Sequence, residues 1–261
     1  MLKRLLIVIL LVILVFFLAL GIISCNYVAP ILMYHSINLK VPFGNRMVVS
    51  VKSFERQMRF LKDHRYNVVP LETLADLVRE QKKIPPKTVA ITFDDGYKDN
   101  YTLAFPVLKK YNLCATIFVI LDEIDRPQGD RLSWQDLFAM RDSGLMTIGS
   151  HCLGPEPLIN SKSEEEIKRQ ITESKRILEE RLGRGIYAFS YPEGRFTPQI
   201  KQWVREAGYK FAVVTNPGKK FPNDDVLALK RLRISDTSDS LFVFWVESSG
   251  YYNFIREHRR K

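Results

Sequence analysis

The sequence predicts an α/β protein, a distorted (β/α)7-8 barrel of the TIM type behind an N-terminal transmembrane or signal helix. Three observations carry this reading. Between residues 31 and 234, short apolar β-rich runs alternate with amphipathic helical ones, the pattern of a parallel sheet covered by helices. Seven or eight such units can close into a barrel. Residues 5–23 form 19 consecutive positions without a charge or strongly polar group, and a bilayer-crossing helix needs about 20. The whole chain is 46% hydrophobic and 26% charged, with no low-complexity tract and no solenoid period, as an ordinary globular protein has.

The chain divides into an N-terminal membrane segment (1–24), a linker with the first strand (25–52), the barrel (53–237) and a helical basic tail (238–261). Lys3 and Arg4 flank the apolar run and should stay inside, leaving the rest outside the cytoplasm. Three fates stay open for the segment: a retained anchor, a cleaved signal, or a lipoprotein box at residues 22–25 with Cys25 carrying the lipid. The first strand is 31–35. A helix at 53–64 puts Phe54, Met58 and Leu61 on one face, and a second helix covers 71–80. A buried strand at 87–93 (KTVAITF) is entered from Pro85-Pro86. Then come a helix at 104–111 and a β-rich run at 115–121. Ser133 and Asp136 form a capping box ahead of another helix. A short strand at 146–150 precedes a long charged helix that opens at 163–166 and ends before Gly183. Strands at 186–190 and 210–214 flank a helix at 198–207, and a last strand covers 227–234.

The net charge of +10 suits an anionic partner such as a membrane surface or an acidic cell-wall polymer. No basic run is interleaved with aromatics, which argues against a nucleic-acid partner. Cys25, Cys114 and Cys152 give no paired framework, and Cys114 reads as a small core residue.

In a barrel of this kind chemistry gathers where strands end, and three such ends carry it. Thr92-Phe93-Asp94-Asp95-Gly96-Tyr97 closes a strand with two carboxylates, and adjacent strand residues face opposite ways, so the two can take different tasks. Gly96 permits the sharp exit. Gly149-Ser150-His151 ends the next candidate, and Phe189-Ser190-Tyr191-Pro192-Glu193-Gly194-Arg195 the third. Each alone also reads as a turn or a hydrogen-bonding residue.

Together, in this order, they resemble the polysaccharide deacetylases of carbohydrate esterase family four, the NodB-homology group. The resemblance runs from about residue 31 to 234. It includes Met33-Tyr34-His35, ITFDDGYKDN at 91–100, Leu132-Ser133-Trp134 and LKRLRI at 229–234, and is nearest to the bacterial branch acting on exported or cell-surface polysaccharides. It implies removal of acetyl groups from an N-acetylated polysaccharide or peptidoglycan with a divalent metal, usually zinc. Asp95 and His151 would hold the metal and Asp94 would be the base. A backbone N–H near Pro192 and Glu193 would receive the oxyanion, and Tyr97, Trp134 and Tyr191 would line the substrate.

The chain departs from the family pattern in ways that touch this chemistry. The second metal histidine, four residues after the first, is replaced by Pro155, which cannot ligate. Ser190 stands where an arginine often orients the base, and Glu193 replaces a common aromatic. The late motif that brings a general-acid histidine is missing around 231–235. Glu156, Cys152 or His35 would be the substitute third ligand. The alternative is a degenerate member that binds glycan without hydrolysing it.

Overall fold

In the computed structural model, residues 27–41, 44–161, 163–215 and 223–252 are described; the apolar run at 5–23 and the tail beyond 252 lie outside them. The strands are β1 (Ile31–Tyr34), β2 (Ser36–Asn38), β3 (Val48–Ser50), β4 (Asn67–Val68), β5 (Thr88–Phe93), β6 (Ala115–Val119), β7 (Met146–Ser150), β8 (Ala188–Ser190), β9 (Phe211–Val214), β10 (Leu229–Lys230) and β11 (Leu232–Arg233). The helices are α1 (Val51–Asp63), α2 (Leu71–Arg79), α3 (Phe105–Tyr111), α4 (Trp134–Asp142), α5 (Glu164–Leu182), α6 (Pro198–Glu206) and α7 (Leu241–Ser248).

All pairings are parallel, in the order β10-β9-β8-β7-β6-β5-β1-β11, with β4 against the start of β5 and a separate β2-β3 pair. Only Arg231 separates β10 from β11. Leu229 pairs with Val213 on one side and Leu232 with Leu32 on the other, so one short segment joins the two ends of the sheet into a nearly closed barrel.

Strand alternation divides the apolar residues into two cores. Ile31, Ala90, Phe118, Ala188, Phe211, Val213 and Leu229 form the inner one, joined by Leu71, Leu74 and Ala75 of α2. Their sequence neighbours Leu32, Ile91, Ile117, Phe189 and Ala212 belong to the outer one, against the helices. The inner ring is crowded. A Cβ on Gly149 would come 2.6 Å from the Phe118 ring and 2.9 Å from the Ala188 Cβ, so the absence of a side chain at 149 is what admits the phenyl ring.

Several expected boundaries shift. The strand at 31–35 ends at Tyr34, and after His35 the chain leaves the barrel to pair with β3. The strand at 227–234 splits around Arg231, because each half bonds a different neighbour. The helix at 104–111 starts earlier, with a π-helical turn over Asn100–Ala104, where the buried Asn100 amide donates to the His35 carbonyl at 2.7 Å. The capping box of Ser133 and Asp136 forms at α4 as the spacing predicts. Among the described residues no helix is long and apolar enough to cross a membrane.

Candidate active site at the mouth of the barrel

The inward parity of each strand continues past the apolar ring. On β5 it passes through Ala90 and Thr92 to Asp94; on β8 from Ala188 to Ser190; on the closing segment from Leu229 to Arg231; on β7 from Gly149 to His151; on β1 from Ile31 through Met33 to His35. A polar layer therefore lies above the inner core. Its members are buried: Thr92, Ser190 and Arg231 fully, Asp94, His151 and His35 nearly so.

Arg231 organises this layer. Its Nη1 donates to Asp94 Oδ1 at 2.7 Å and its Nη2 to Asp94 Oδ2 at 2.5 Å, a two-point fork. Nη2 also donates to Ser190 Oγ at 3.0 Å, Nη1 to Thr92 Oγ1 at 3.2 Å and Nε to the Val214 carbonyl at 3.1 Å. Burial by itself would raise the Asp94 carboxyl, but the charges of Arg231 and then His151 outweigh it and bring it down to about 2. Asp94 is thus an oriented anion. The third motif carries Ser190 where an arginine often orients the base. The structure supplies one from the closing strand, and strand parity at 229–233 was the signal that could have found it.

Asp95, next along, has a left-handed backbone (φ 68) where the chain leaves the strand. Its Oδ1 lies 3.4 Å from His151 Nε2. His151 Nδ1 donates to the Ser190 carbonyl at 2.7 Å; a carbonyl only accepts, so Nδ1 carries the hydrogen and Nε2 faces Asp95. Burial opposes charge on both partners. Their mutual hydrogen bond prevails, lowering the Asp95 carboxyl and raising the His151 imidazole relative to their ordinary values.

The other candidates fall in varied places. His35 flanks Asp94 across the β1–β5 pairing; its Nδ1 is buried without a partner, and burial lowers its pKa against the pull of Asp94 and Asp95. Cys152 has the opposite parity to His151. It is fully buried in the outer core, where burial drives its thiol pKa far up. Pro155 and Glu156 lie exposed in the following loop. Tyr97 sits under the Arg131 guanidinium, 4.1 Å from the ring centroid, and pairs with Arg131 in a β-bridge, which lays the 130–132 loop along the rim. Trp134 packs partly buried against the outer core, with Arg181 5.3 Å over its ring. Tyr191 is fully buried and stacked on Phe196 at 4.6 Å, its hydroxyl unpartnered. In the turn that follows, Tyr191, Gly194 and Arg195 spend their N–H groups on the carbonyls of Val213, Tyr191 and Pro192. Pro192 has none, so Glu193 (φ 54) carries the N–H of that turn open to a ligand oxygen.

These donors do not amount to a complete catalytic zinc set. Asp95 and His151 converge, but among the described residues no group of three or more His, Cys, Asp or Glu side chains is placed to hold one ion. Catalytic zinc sites generally offer three protein ligands.

A parallel barrel carrying an adjacent aspartate pair and a histidine at its mouth is an architecture shared with carbohydrate deacetylases. The chain belongs to the polysaccharide deacetylase family, whose profile matches residues 81–212. It is 34% identical over 220 residues to YxkH of Bacillus subtilis (strain 168), whose name places it among polysaccharide deacetylases, covering 84% of this chain and 76% of that one. It is 27% identical over 198 residues to the poly-beta-1,6-N-acetyl-D-glucosamine N-deacetylase of Staphylococcus aureus (strain MRSA252), covering 72% and 68%. Among solved structures, the Streptococcus pyogenes deacetylase PplD in complex with acetate superposes with a TM-score of 0.73 at 28% identity, covering 80% and 94%. IcaB from Ammonifex degensii gives 0.74 at 25% identity, covering 85% and 97%. Members of the family are hydrolases of carbon–nitrogen bonds.

Proposed function

We propose that the chain engages an N-acetylated polysaccharide outside the cytoplasm through the barrel mouth and holds it there without hydrolysing it. The observation that carries this reading is the donor count: Asp95 and His151 converge at 3.4 Å with no third ligand among the described residues, and the position expected to supply one is Pro155. The relative named for poly-beta-1,6-N-acetyl-D-glucosamine supports a glucosamine-based glycan as the ligand. The buried, unpartnered His35 Nδ1 can accept from an acetamido N–H, and the N–H of the exposed Glu193 can donate to an acetamido oxygen. The extracytoplasmic placement rests on the apolar run at 5–23 behind Lys3 and Arg4, read as an anchor.

One observation favours a second reading, metal-dependent deacetylation. Asp94 is anionic and fixed at both oxygens, as a general base is. Calorimetric titration with N-acetylglucosamine oligomers, with and without chelator, separates the two. Binding that survives chelation and the substitution Asp94→Asn supports the first reading. Oligomer binding that requires zinc refutes it.

A further inference from the structure

Helix α7 is two-faced in an unusual way. Phe244, Glu247 and Ser248 are buried, and Phe244 packs edge-on against Phe60 of α1 at 5.9 Å. The opposite face carries Leu241, Phe242, Val243 and Trp245, with Phe242 68% and Trp245 49% exposed. Of the six large apolar side chains exposed among the described residues, four fall in this eight-residue helix. Phe242 and Trp245 lie side by side, with centroids 5.8 Å apart. Scattered exposed apolar residues need no explanation, but a contiguous aromatic group marks a contact surface.

What covers this surface is indicated by where the N-terminal segment leaves the barrel. Tyr27, the first described residue, stacks edge-on against Tyr251 at 5.7 Å, and the Val28 N–H donates to the Gly250 carbonyl at 2.9 Å. Gly250 has φ +84, and a Cβ there would stand 2.2 Å from the Tyr27 ring, so glycine is required for this seat. Tyr27 also exchanges hydrogen bonds with the Thr88 backbone at 3.0 and 3.1 Å. The chain end that continues into the apolar run is therefore clamped two residues past the end of α7. Only residues 24–26 separate that run from Tyr27, and the four steps from residue 23 to 27 reach at most about 14 Å. Past Tyr252 the sequence adds Arg256, Arg259, Arg260 and Lys261 against one acid, Glu257.

We propose that Leu241, Phe242, Val243 and Trp245 dock into the interfacial layer of the bilayer in which residues 5–23 are anchored, with anionic headgroups opposite the basic tail. This rests on the anchor reading above. The aromatic pair suits the headgroup boundary, where amphipathic rings concentrate, and the cationic tail adds attraction to an acidic leaflet. Because α7 lies beside α1, docking lays that flank of the barrel on the membrane.

The test uses the full chain reconstituted into vesicles of phosphatidylcholine and phosphatidylglycerol, with dibrominated phosphatidylcholine as the quencher. The protein should float with the vesicles, and part of its tryptophan emission should be quenched. That quenching should be lost in Trp245→Phe and reduced in Phe242→Glu, both of which stay folded by circular dichroism. Floating protein whose Trp245 emission is unquenched refutes docking while leaving the anchor intact; the face then belongs to a second copy or to the chain's own N-terminal segment. Protein that does not float refutes the anchor, and the docking with it.

Discussion

Arg231 grips both carboxylate oxygens of Asp94, at 2.7 and 2.5 Å, although the two residues stand 137 positions apart. The pair ties the strand that closes the barrel to the strand that carries the candidate base. Closure of the fold and orientation of the site are thus one structural event.

Breaking the fork from one side should be costly, because it strands a buried charge. Arg231→Leu is expected to lose about 3–5 kcal/mol of stability, measured by urea unfolding. Asp94→Leu should fall in the same range. The double variant should lose clearly less than the sum, since no lone charge is left. Additive losses would contradict the arrangement.

Acid should expose the same pair. Asp94 titrates at about 2 in the folded chain against an ordinary 3.8. The folded state therefore binds fewer protons than the unfolded one in that interval. The stabilisation is present in full above about pH 4 and is lost as pH falls through 2, amounting to about 2 kcal/mol. Urea midpoints taken between these limits should slope downward with acid, and the slope should flatten in Asp94→Asn.

The inner ring makes a packing prediction. Phe118→Ala should cost about 3–5 kcal/mol. Gly149→Ala overpacks the same space and should cost about 1–3 kcal/mol. Combined, they should cost less than their sum, because the added methyl enters the space the ring vacates. Thermal unfolding of the four proteins measures this.

Pro155 is the position where a third donor is missing. Pro155→His should raise bound zinc in purified protein toward about one ion per chain, read by elemental analysis. Asp95→Ala on that background should abolish the gain. Unchanged metal content would show that the loop cannot bring residue 155 to Asp95 and His151.

How far the sequence carries the reader depends on parity. The Asp94–Asp95 pair and His151 are legible because each follows an apolar strand, and alternation sends the inward residue to the mouth. The same alternation places Cys152 outward, beside the helices, where adjacency in sequence had made it a ligand candidate. Arg231 is less legible for a different reason: the third motif has Ser190 at the expected arginine position, and a distant stretch of chain provides the guanidinium. Its inward position on LKRLRI, between Leu229 and Arg233, holds the clue. Boundaries at 35 and 231 were illegible because strand ends depend on which neighbour offers hydrogen bonds, a tertiary matter. Residues 5–23 lie outside the described structure, and their reading stays with the sequence.

The most direct test of the account is acetate release from N-acetylglucosamine oligomers by the zinc-supplemented chain, beside Pro155→His. The native chain should release none, the variant should release acetate, and that release should vanish when Asp94→Asn is added. Release by the native chain that disappears in Asp94→Asn would contradict it and make the two-donor site a working hydrolase.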